Sequence, residues 1–375
     1  MDTVKGFKDF TGEQAEKREF VRSVLVKNFS KYGFEAAETP IIEYKEFVQG
    51  DNPQDEAVSD IFKLNDKGKR DLALRYELTF SLKRLMKDQK LPYKRYNIGP
   101  VFRDEPISGN RFRQFTQCDI DTIKSSIKDE AEILSITNNI LNELELSFTI
   151  FINNRKLLNE ILTKNNINEK DFEGVIREID KLDKIPEADI INNLKKYKAE
   201  SILKILNNDY KQYDSYSEIL ELQKYCKLYN VKVKFLPTLA RGLSYYNGSV
   251  FEVKTKKMKE TITAGGSYIF NNIQSTGISF GLDRLSSLVK INSKEKFLVL
   301  SISQDEKAIE IAEKLRENNI VYLSSAKISK ALDFANSKNV TKVVFVGENE
   351  VKQKKVKIKD MKTGKEKLVS LKELI

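Results

Sequence analysis

Residues 111–121, RFRQFTQCDID, constrain the fold most, because their types alternate with a period of two. A period of two is the spacing of a β-strand, in which successive side chains point to opposite faces. A strand is therefore predicted here, with one face that combines guanidinium groups, a ring, an amide and carboxylates. The residues on this face are Arg111, Arg113, Phe115, Gln117, Asp119 and Asp121, and the opposite face carries Phe112, Gln114, Thr116, Cys118 and Ile120.

The residues before this strand predict its partner. Arg103 and Glu105 precede a Pro-Ile-Ser-Gly-Asn stretch, and these residue types favour turns. We therefore expect two antiparallel strands joined by a loop. A surface sheet with ion pairs is one interpretation of the charges, since exposed pairs are nearly neutral energetically. The position of Phe115 among the charges favours the other interpretation, a face that binds a planar, charged ligand.

Composition limits the class of protein. A chain of 375 residues predicts two or three domains, and 40% hydrophobic residues suffice for real cores. No apolar run has the length of a membrane span, and the N-terminus MDTVKGFKDF has no apolar signal region, so we expect a cytoplasmic protein. Cys118 and Cys226 lie far apart, which argues against a disulfide or zinc framework.

The chain contains no histidine. It therefore has no imidazole to act as a general base, to relay protons or to bind a metal ion. Any chemistry must rely on carboxylates, arginines, backbone dipoles, metal ions or the substrate itself.

The pattern of apolar residues predicts three parts. Residues 1–154 and 230–292 mix helical and β-like segments, which indicates one α+β domain with an antiparallel sheet. A helix is predicted after a capping box at Thr11 and Gln14, and another over residues 78–90. Residues 155–229 are rich in Leu, Ile, Lys and Asn with helical spacing, and form a helical insertion. Residues 293–375 alternate apolar runs with helical segments, which predicts a small α/β domain with a parallel sheet.

The positive charge is concentrated near the C-terminus. Residues 294–375 contain 18 Lys and Arg against 12 Asp and Glu, which gives +6 of the net +10 of the chain. The stretch VKQKKVKIKDMKTGKEK alternates lysine with small apolar residues. A solvated face explains this pattern, and contact with nucleic acid is the alternative.

Four stretches together resemble class II aminoacyl-tRNA synthetases, and specifically the histidyl-tRNA synthetase family. The helix and strand ending at Pro40 resemble the first class II motif, which builds the homodimer interface in that class. VFRDEPISGNRFRQFTQCDID resembles the second motif and GISFGLDRL the third. LARGLSYYNGSVFE resembles a signature of histidyl enzymes. The resemblance covers the whole chain, and it implies a catalytic α+β domain, an insertion domain at 155–229 and an anticodon-binding α/β domain at 293–375.

The resemblance implies an activity and its partners. The family joins histidine to ATP as histidyl-adenylate and transfers the histidyl group to the 3′ end of tRNA(His). We accordingly expect ATP as a substrate, with Mg²⁺ bound to it, and a homodimer. We expect no membrane partner and no metal centre built from this chain's side chains. The alternative is a catalytically inactive synthetase-like protein, either a regulatory subunit of histidine biosynthesis or a sensor of tRNA. The intact Arg-Gly-Leu signature and the arginines Arg103, Arg241 and Arg284 argue against it.

The resemblance also implies roles for single residues. Arg103 and Arg241 match the catalytic arginines on two sides of the α-phosphate. Among the residues that match the ATP site of the family, Phe115 would stack on adenine and Glu105 would lie near its amino group. Arg111 and Arg113 would lie by the triphosphate, and Arg284 at the far phosphates. Among the residues that match the histidine-binding site, Glu77 and Thr79 would bind the α-amino group and Gln117 the amino-acid backbone. Asp121 and Tyr246 would bond to the imidazole nitrogens. Arg241 also belongs to this set, with Tyr245 as the neighbouring strand residue.

One position departs from the family pattern. The family has arginine after the paired glycines, whereas Ser267 follows Gly265 and Gly266 here, and Tyr268 is kept. The following loop is short and lacks the usual acid. This departure concerns how the loop closes over the amino acid and does not concern the phosphate site.

Overall fold

The computed structural model describes residues 2–50, 58, 60–107, 112–182, 185–206, 210–240, 245–291 and 295–374. Contacts between residues divide the chain into two compact units, Met1–Lys290 and Ile291–Ile375. No helix within these described ranges is long and apolar enough to cross a membrane.

The strands of the described residues are numbered in chain order. They are β1 (Glu35–Ala36), β2 (Ile42–Tyr44), β3 (Lys63–Asn65), β4 (Asp71–Leu74), β5 (Tyr93–Phe102), β6 (Gln114–Ile123), β7 (Thr149–Asn154), β8 (Val233–Phe235), β9 (Tyr246–Thr255), β10 (Met258–Phe270), β11 (Ile273–Gly281), β12 (Lys296–Ser301), β13 (Ile320–Ser324), β14 (Lys342–Val346), β15 (Lys355–Asp360) and β16 (Glu366–Ser370).

The helices of the same residues are named by their bounds. The α-helices are Gly12–Lys31, Lys45–Gln49, Leu82–Leu85, Ile127–Glu143, Arg155–Lys164, Phe172–Ile179, Glu187–Leu194, Ile202–Ile205, Tyr216–Leu228, Leu282–Leu288, Asp305–Arg316, Ile328–Ser337, Glu348–Lys352 and Leu371–Leu374. Short 3₁₀ turns cover Met86–Asp88, Glu169–Asp171 and Lys195–Tyr197.

The first unit is built on an eight-stranded sheet in the order β1-β5-β6-β11-β10-β9-β7-β8. The six inner strands are antiparallel, and the short edge strands β1 and β8 pair in parallel with β5 and β7. A smaller sheet has the order β2-β4-β3, in which β3 and β4 form an antiparallel hairpin. The predicted α+β fold with an antiparallel sheet is thus confirmed.

Strand β6 confirms the predicted alternation, although it begins at Gln114 rather than at residue 111. Cys118 and Ile120 lie in the main hydrophobic core. On the other face, Asp121 pairs with Arg95 of β5 and with Gly277 of β11 in the register of the strands. A Cβ atom at Gly277 would collide with the Asp121 carboxylate and with the carbonyl oxygen of Ile120, so only glycine fits there.

Two local expectations are wrong. Thr11 is the N-cap of helix Gly12–Lys31, but its side chain makes no capping hydrogen bond. The helix predicted over 78–90 is reduced to Leu82–Leu85 and a 3₁₀ turn. The Glu77 carboxylate accepts a hydrogen bond from the backbone N–H of Phe80, so side-chain bonding replaces the first helical turn.

Residues 155–229 are mainly helical, as the sequence predicts, and they share the core of the sheet. Leu158, Val175, Leu222 and other apolar residues of these helices belong to the same hydrophobic cluster as Phe251 of β9. The assignment of this stretch as a separate insertion domain stays a prediction.

The second unit contains a five-stranded sheet in the order β13-β12-β14-β15-β16. The first three strands are parallel, as predicted, with cores on both faces of the sheet. Strand β15 runs antiparallel to β14, and β16 runs antiparallel to β15, and neither pairing was predicted from the sequence. A tight turn accounts for the pairing of β15 with β16, because the Asp360 carboxylate accepts hydrogen bonds from the backbone of Lys362 and Thr363, and short turns join antiparallel strands.

Candidate active site

Two adjoining cavities open on the face of the large sheet that carries Asp121. The first, the arginine cavity, has about 200 Å³ and is lined by Arg103, Glu105, Phe112, Phe115, Gln117, Thr261, Ile262, Thr263, Ala264, Ser279, Gly281, Asp283 and Arg284. The second, the acidic cavity, has about 90 Å³ and is lined by Glu77, Thr79, Arg103, Gln117, Asp119, Asp121, Tyr245, Tyr246, Ala264, Gly265, Tyr268, Gly277, Ile278 and Ser279. The two cavities share Arg103, Gln117, Ala264 and Ser279 as a common wall.

Arg103 lies at this common wall, one residue beyond the end of β5. Its guanidinium carbon is 5.2 Å from the centroid of the Phe115 ring, within the range of a cation–π contact. Its Nη1 lies 3.7 Å from Glu105 Oε1, and its Nε donates to the carbonyl oxygen of Tyr76 at 3.3 Å. The side chain is therefore held from two sides and is half-buried, so it can still meet a ligand.

Three hydrogen-bonded residues, Arg18, Thr116 and Asp283, lie beside the arginine cavity. Asp283, at the start of helix Leu282–Leu288, accepts the backbone N–H of Thr116 at 2.8 Å and pairs with Arg18 at 2.5 Å. Arg18 also donates to the Thr116 hydroxyl at 2.9 Å. Arg284 follows Asp283, and its Nη1 donates to the carbonyl oxygen of Thr261 at 2.7 Å. These contacts join four elements beside the arginine cavity: helix Gly12–Lys31, β6, β10 and helix Leu282–Leu288.

The acidic cavity is built around Asp121. Tyr268 donates its hydroxyl to Asp121 Oδ1 at 2.5 Å, and Arg95 Nη2 lies 2.8 Å from Asp121 Oδ2. Arg95 is fully buried, at 0% exposure. Burial raises the pKa of the Asp121 carboxyl, and the neighbouring Arg95 guanidinium opposes this rise.

Two further carboxylates line the same cavity. Burial raises the pKa of Glu77 to about 7 and that of Asp119 to about 7. Arg103 acts in the opposite direction on the pKa of Glu77, and Arg95 does so on that of Asp119. The cavity therefore attracts cationic and N–H-bearing groups, which are the natural partners of carboxylate oxygens.

Tyrosine rings form the opposite side of the acidic cavity. The rings of Tyr245 and Tyr246 lie 4.6 Å apart, and that of Tyr245 meets Tyr268 edge-on at 5.6 Å. Burial raises the pKa of Tyr245 and Tyr268 well above the usual value, so these phenols keep their protons at neutral pH.

Gln117 presents an unsatisfied acceptor at the common wall. Its Nε2 donates to the Ser279 hydroxyl at 2.8 Å, which orients the amide. Among the residues that the structure describes, its Oε1 has no hydrogen-bond partner although it is buried. A buried acceptor without a partner is costly, so a ligand N–H at this wall would be stabilised.

The structure brings most of the predicted site residues together. Arg103, Glu105, Phe115, Gln117 and Arg284 line the arginine cavity, and Glu77, Thr79, Arg103, Gln117, Asp121, Tyr245 and Tyr246 line the acidic one.

Among the predicted residues that the structure describes, Arg113 is not part of the lining. Arg113 pairs with Asp104 at 3.1 Å and donates to the carbonyl oxygen of Glu105. Arg111 and Arg241 lie outside the described residues.

Sequence reasoning missed Arg95, Arg18 and Asp283, and it gave Asp119 no role. The alternation in β6 does place Asp119 on the ligand face. Arg95 could have been found only from the register of β5 against β6.

Comparisons with known proteins identify the family of the chain. The family model of histidyl-tRNA synthetase matches residues 6–285, and that of the anticodon binding domain matches residues 291–375. Histidine--tRNA ligase 1 of Bacillus cereus is 34% identical over 100% of this chain and 96% of its own length. Histidine--tRNA ligase of Clostridium tetani is 35% identical over 95% and 92%.

Solved structures show the same fold. The crystal structure of histidyl-tRNA synthetase from Nostoc matches with a TM-score of 0.85 at 24% identity, over 100% of this chain and 98% of that one. An ATP phosphoribosyltransferase regulatory subunit/histidyl-tRNA synthetase from Bacillus halodurans matches with a TM-score of 0.77 at 21% identity, over 92% and 97%. Because both family models and the curated relatives together span the chain, the protein belongs to the histidyl-tRNA synthetase family.

Proposed function

We propose that the chain is a histidine–tRNA ligase, which activates histidine with ATP and transfers the histidyl group to the 3′ end of tRNA(His). The observation that carries this proposal is the common wall of the two cavities. This wall joins the small acidic cavity, which suits an amino acid, to the arginine cavity. The arginine cavity has the Phe115 ring and two arginines, which suit a nucleoside triphosphate.

Arg103 has the position that the first reaction requires. In that reaction a carboxylate oxygen of histidine bonds to the α-phosphorus of ATP, and the bond from that phosphorus to pyrophosphate breaks. Negative charge builds on the phosphate oxygens, so a fixed cation lowers the barrier. Arg103 lines both cavities, and we assign it this role together with Arg241, on the opposite side of the phosphate.

The arginine cavity receives ATP in this proposal. Phe115 stacks on adenine, and Glu105 lies near the amino group of the base. Arg284 binds the far phosphates, and Arg111 and Arg113 act from the loop at the triphosphate. The contact between Arg103 and the Phe115 ring supports the first of these roles, because it brings the phosphate cation and the stacking ring side by side.

The acidic cavity receives histidine. Glu77 and Thr79 bind the α-amino group, and Gln117 offers its unpaired amide oxygen to the amino-acid backbone. Asp121 and Tyr246 bond to the imidazole nitrogens, with Tyr245 beside them and Arg241 at the carboxylate. Such a polar pocket rejects isosteric side chains without ring nitrogens, because its own buried groups would then lack partners.

Mg²⁺ enters this proposal with ATP. The described residues contain no cluster of three or more His, Cys, Asp or Glu able to hold a metal ion. Mg²⁺ commonly keeps water ligands and is bound through substrate phosphates with one or two carboxylates. Glu105 and Asp283 are the carboxylates that line the arginine cavity. Asp283 pairs with Arg18, and Glu105 pairs with Arg103 and is assigned to the adenine, so the ion would be held mainly by the phosphates of ATP. The ion would neutralise charge on the departing pyrophosphate.

The remaining assignments follow from the family. We propose a cytoplasmic homodimer, with residues 1–154 and 230–292 as the catalytic domain, 155–229 as an insertion and 293–375 as the anticodon-binding domain. Ile41, Ile42 and Tyr44, next to Pro40, are exposed in the single chain, which supports a dimer contact at the first motif. Lysines of β15 alternate with the buried Val356 and Ile358, which supports a basic face for tRNA.

Exchange of labelled pyrophosphate into ATP tests the activation step. The exchange is expected to require histidine and to be absent with each of the other standard amino acids. Charging of tRNA(His) with labelled histidine tests the second step. A purified, folded protein that supports no histidine-dependent exchange would refute the proposed function and favour the regulatory alternative.

A further inference from the structure

Arg95 is a fully buried cation with no place in the reaction described above. It lies on β5, directly opposite Asp121 of β6 in the strand register. Its Nη2 lies 2.8 Å from Asp121 Oδ2 and donates to the carbonyl oxygen of Leu78 at 3.0 Å. Nε and Nη1 of Arg95 have no hydrogen-bond partner among the described residues. A buried guanidinium with so few hydrogen bonds is stabilised chiefly by nearby negative charge.

That negative charge is the acidic cavity. Asp121 lies closest to Arg95, and the carboxylates of Glu77 and Asp119 also interact with this cation through space. Arg103 is the guanidinium that lines the cavity among the described residues, and it is half-buried at the common wall. Arg95 is therefore the cation that lies fully inside the protein beside Asp121.

Asp121 is enclosed by groups from every neighbouring strand. Arg95 contacts it from β5, the Tyr268 hydroxyl from β10, and Gly277 of β11 leaves room for it because it has no side chain. Asp119 on its own strand and Glu77 repel its charge, and the cavity itself holds Arg103, Tyr245 and Tyr246. The carboxylate is thus fixed in orientation, and Asp121 lines the cavity.

We propose that Arg95 is a positioning residue for amino-acid recognition, which keeps Asp121 ionised and fixed as an acceptor for the N–H of a neutral imidazole. This inference rests on the proposed function, in which Asp121 reads the imidazole. Without Arg95, a desolvated carboxylate beside two other acids would take up a proton. A protonated Asp121 would offer a donor to the ring N–H, and the pocket would lose its preference for rings that donate.

Substitution of Arg95 by methionine tests this role, because methionine fills much of the space without the charge. In Arg95→Met the Michaelis constant for histidine is expected to rise roughly ten- to a hundred-fold at neutral pH, the scale of a lost hydrogen bond to a charged group. The constant for ATP is expected to stay within about twofold. Pyrophosphate exchange at varied histidine and at varied ATP measures both.

The pH profile separates this role from simple structural support. Loss of the cation raises the pKa of Asp121, so the defect in Arg95→Met should shrink as the pH rises and the carboxylate ionises. Glu77 titrates in every variant, so each variant is compared with the wild-type protein at the same pH. Arg95→Lys, which keeps the charge without the planar fork, should recover part of the affinity and lose the added pH dependence.

Arg155→Met is the matched control. Arg155 is also buried and pairs with a carboxylate, Glu173, but it lines neither cavity. Its loss should lower the melting temperature and leave both Michaelis constants and their pH profiles unchanged.

A double substitution keeps the inference testable if Arg95→Met fails to fold. Arg95→Met with Asp121→Asn has no charge at either position, and it should match Asp121→Asn alone in its constant for histidine. A much larger constant in the double variant would show that Arg95 acts on something other than Asp121. The inference would also be overturned if Arg95→Met had the Michaelis constant for histidine and the pH profile of the wild-type protein. If the wild-type protein itself showed no histidine-dependent exchange, the proposed function would be overturned instead.

Discussion

Asp121→Asn tests recognition and stability together, because the carboxylate that we propose for the imidazole is also bonded to other residues of the protein. Asp121 is 3% exposed, accepts the Tyr268 hydroxyl and pairs with Arg95. Asparagine keeps the shape and one acceptor oxygen but removes the charge. Loss of a hydrogen bond to a charged group costs about 1.5–3 kcal/mol. At about 2.1 cal/mol/K per residue, the unit of 290 residues shifts by roughly 1.6 °C per kcal/mol, so the melting temperature should fall by about 2–5 °C.

The same loss applies to bound histidine. If Asp121 accepts the imidazole N–H, about 1.5–3 kcal/mol of binding free energy disappears, and the Michaelis constant for histidine rises roughly ten- to a hundred-fold. The constant for ATP should change little, because Arg103, Phe115 and Arg284 keep their contacts. Pyrophosphate exchange at varied histidine and at varied ATP gives both constants, and a thermal melt gives the stability.

Glu173→Gln provides the comparison for this variant. It removes the charge that faces the buried Arg155 outside the cavities, so it should lower the melting temperature without raising the constant for histidine. Equal shifts of both constants in Asp121→Asn, or a shift of the ATP constant alone, would refute the assignment of Asp121 to the imidazole.

Three further outcomes are expected. Arg241→Lys should slow adenylate formation roughly 10²–10³-fold in a single-turnover assay, because lysine loses the planar fork of arginine; a normal rate would remove Arg241 from the mechanism. Truncation after Lys290, the boundary between the two units, should leave histidine-dependent exchange measurable but weaken tRNA charging, and charging by the full chain should fall with salt; equal charging by both proteins would contradict the anticodon-domain assignment. Because burial raises the pKa of Glu77 from 4.5 to about 7, the folded state binds more protons than the unfolded state in this window, so the free energy of unfolding should decrease from pH 4.5 to pH 7 and decrease less in Glu77→Gln; identical slopes in chemical denaturation would exclude Glu77 as a source.

The sequence predicts those parts of the fold that depend on local periodicity. The alternation around Phe115 and Gln117 identifies both the strand and its ligand face, because side chains in a strand alternate whatever their tertiary surroundings. The parallel part of the second sheet follows similarly from alternating apolar runs and helices. The resemblance identifies ten of the residues that line the cavities, including Glu77 and Tyr246, which periodicity alone does not distinguish from ordinary surface and core residues.

The features that the sequence does not predict depend on partners distant in the chain. Arg95 meets Asp121 only through the register of two strands that are joined by a loop, and a shift of one residue would place it on the other face. Arg18 and Asp283 are 265 residues apart, and no local pattern connects them. The short helix at Leu82 is a local failure of a different kind, because the Glu77 carboxylate satisfies a backbone N–H that the helix would otherwise use.

Gly265 and Gly277 limit how this pocket could be redesigned. They are diagonal neighbours on β10 and β11, since Gly265 pairs with Ile278 and Gly277 with Gly266. A Cβ on Gly265 would strike the carbonyl oxygen of Gly277, and a Cβ on Gly277 would strike the Asp121 carboxylate and the carbonyl oxygen of Ile120. Backbone atoms in the middle of an eight-stranded sheet cannot move aside as flexible side chains can. Both glycines line the acidic cavity, so a side chain at either position would not make the pocket smaller without displacing main chain. An enzyme altered to accept a different amino acid would have to change at the walls, at Asp121, Tyr246 and Tyr268, while both glycines are kept.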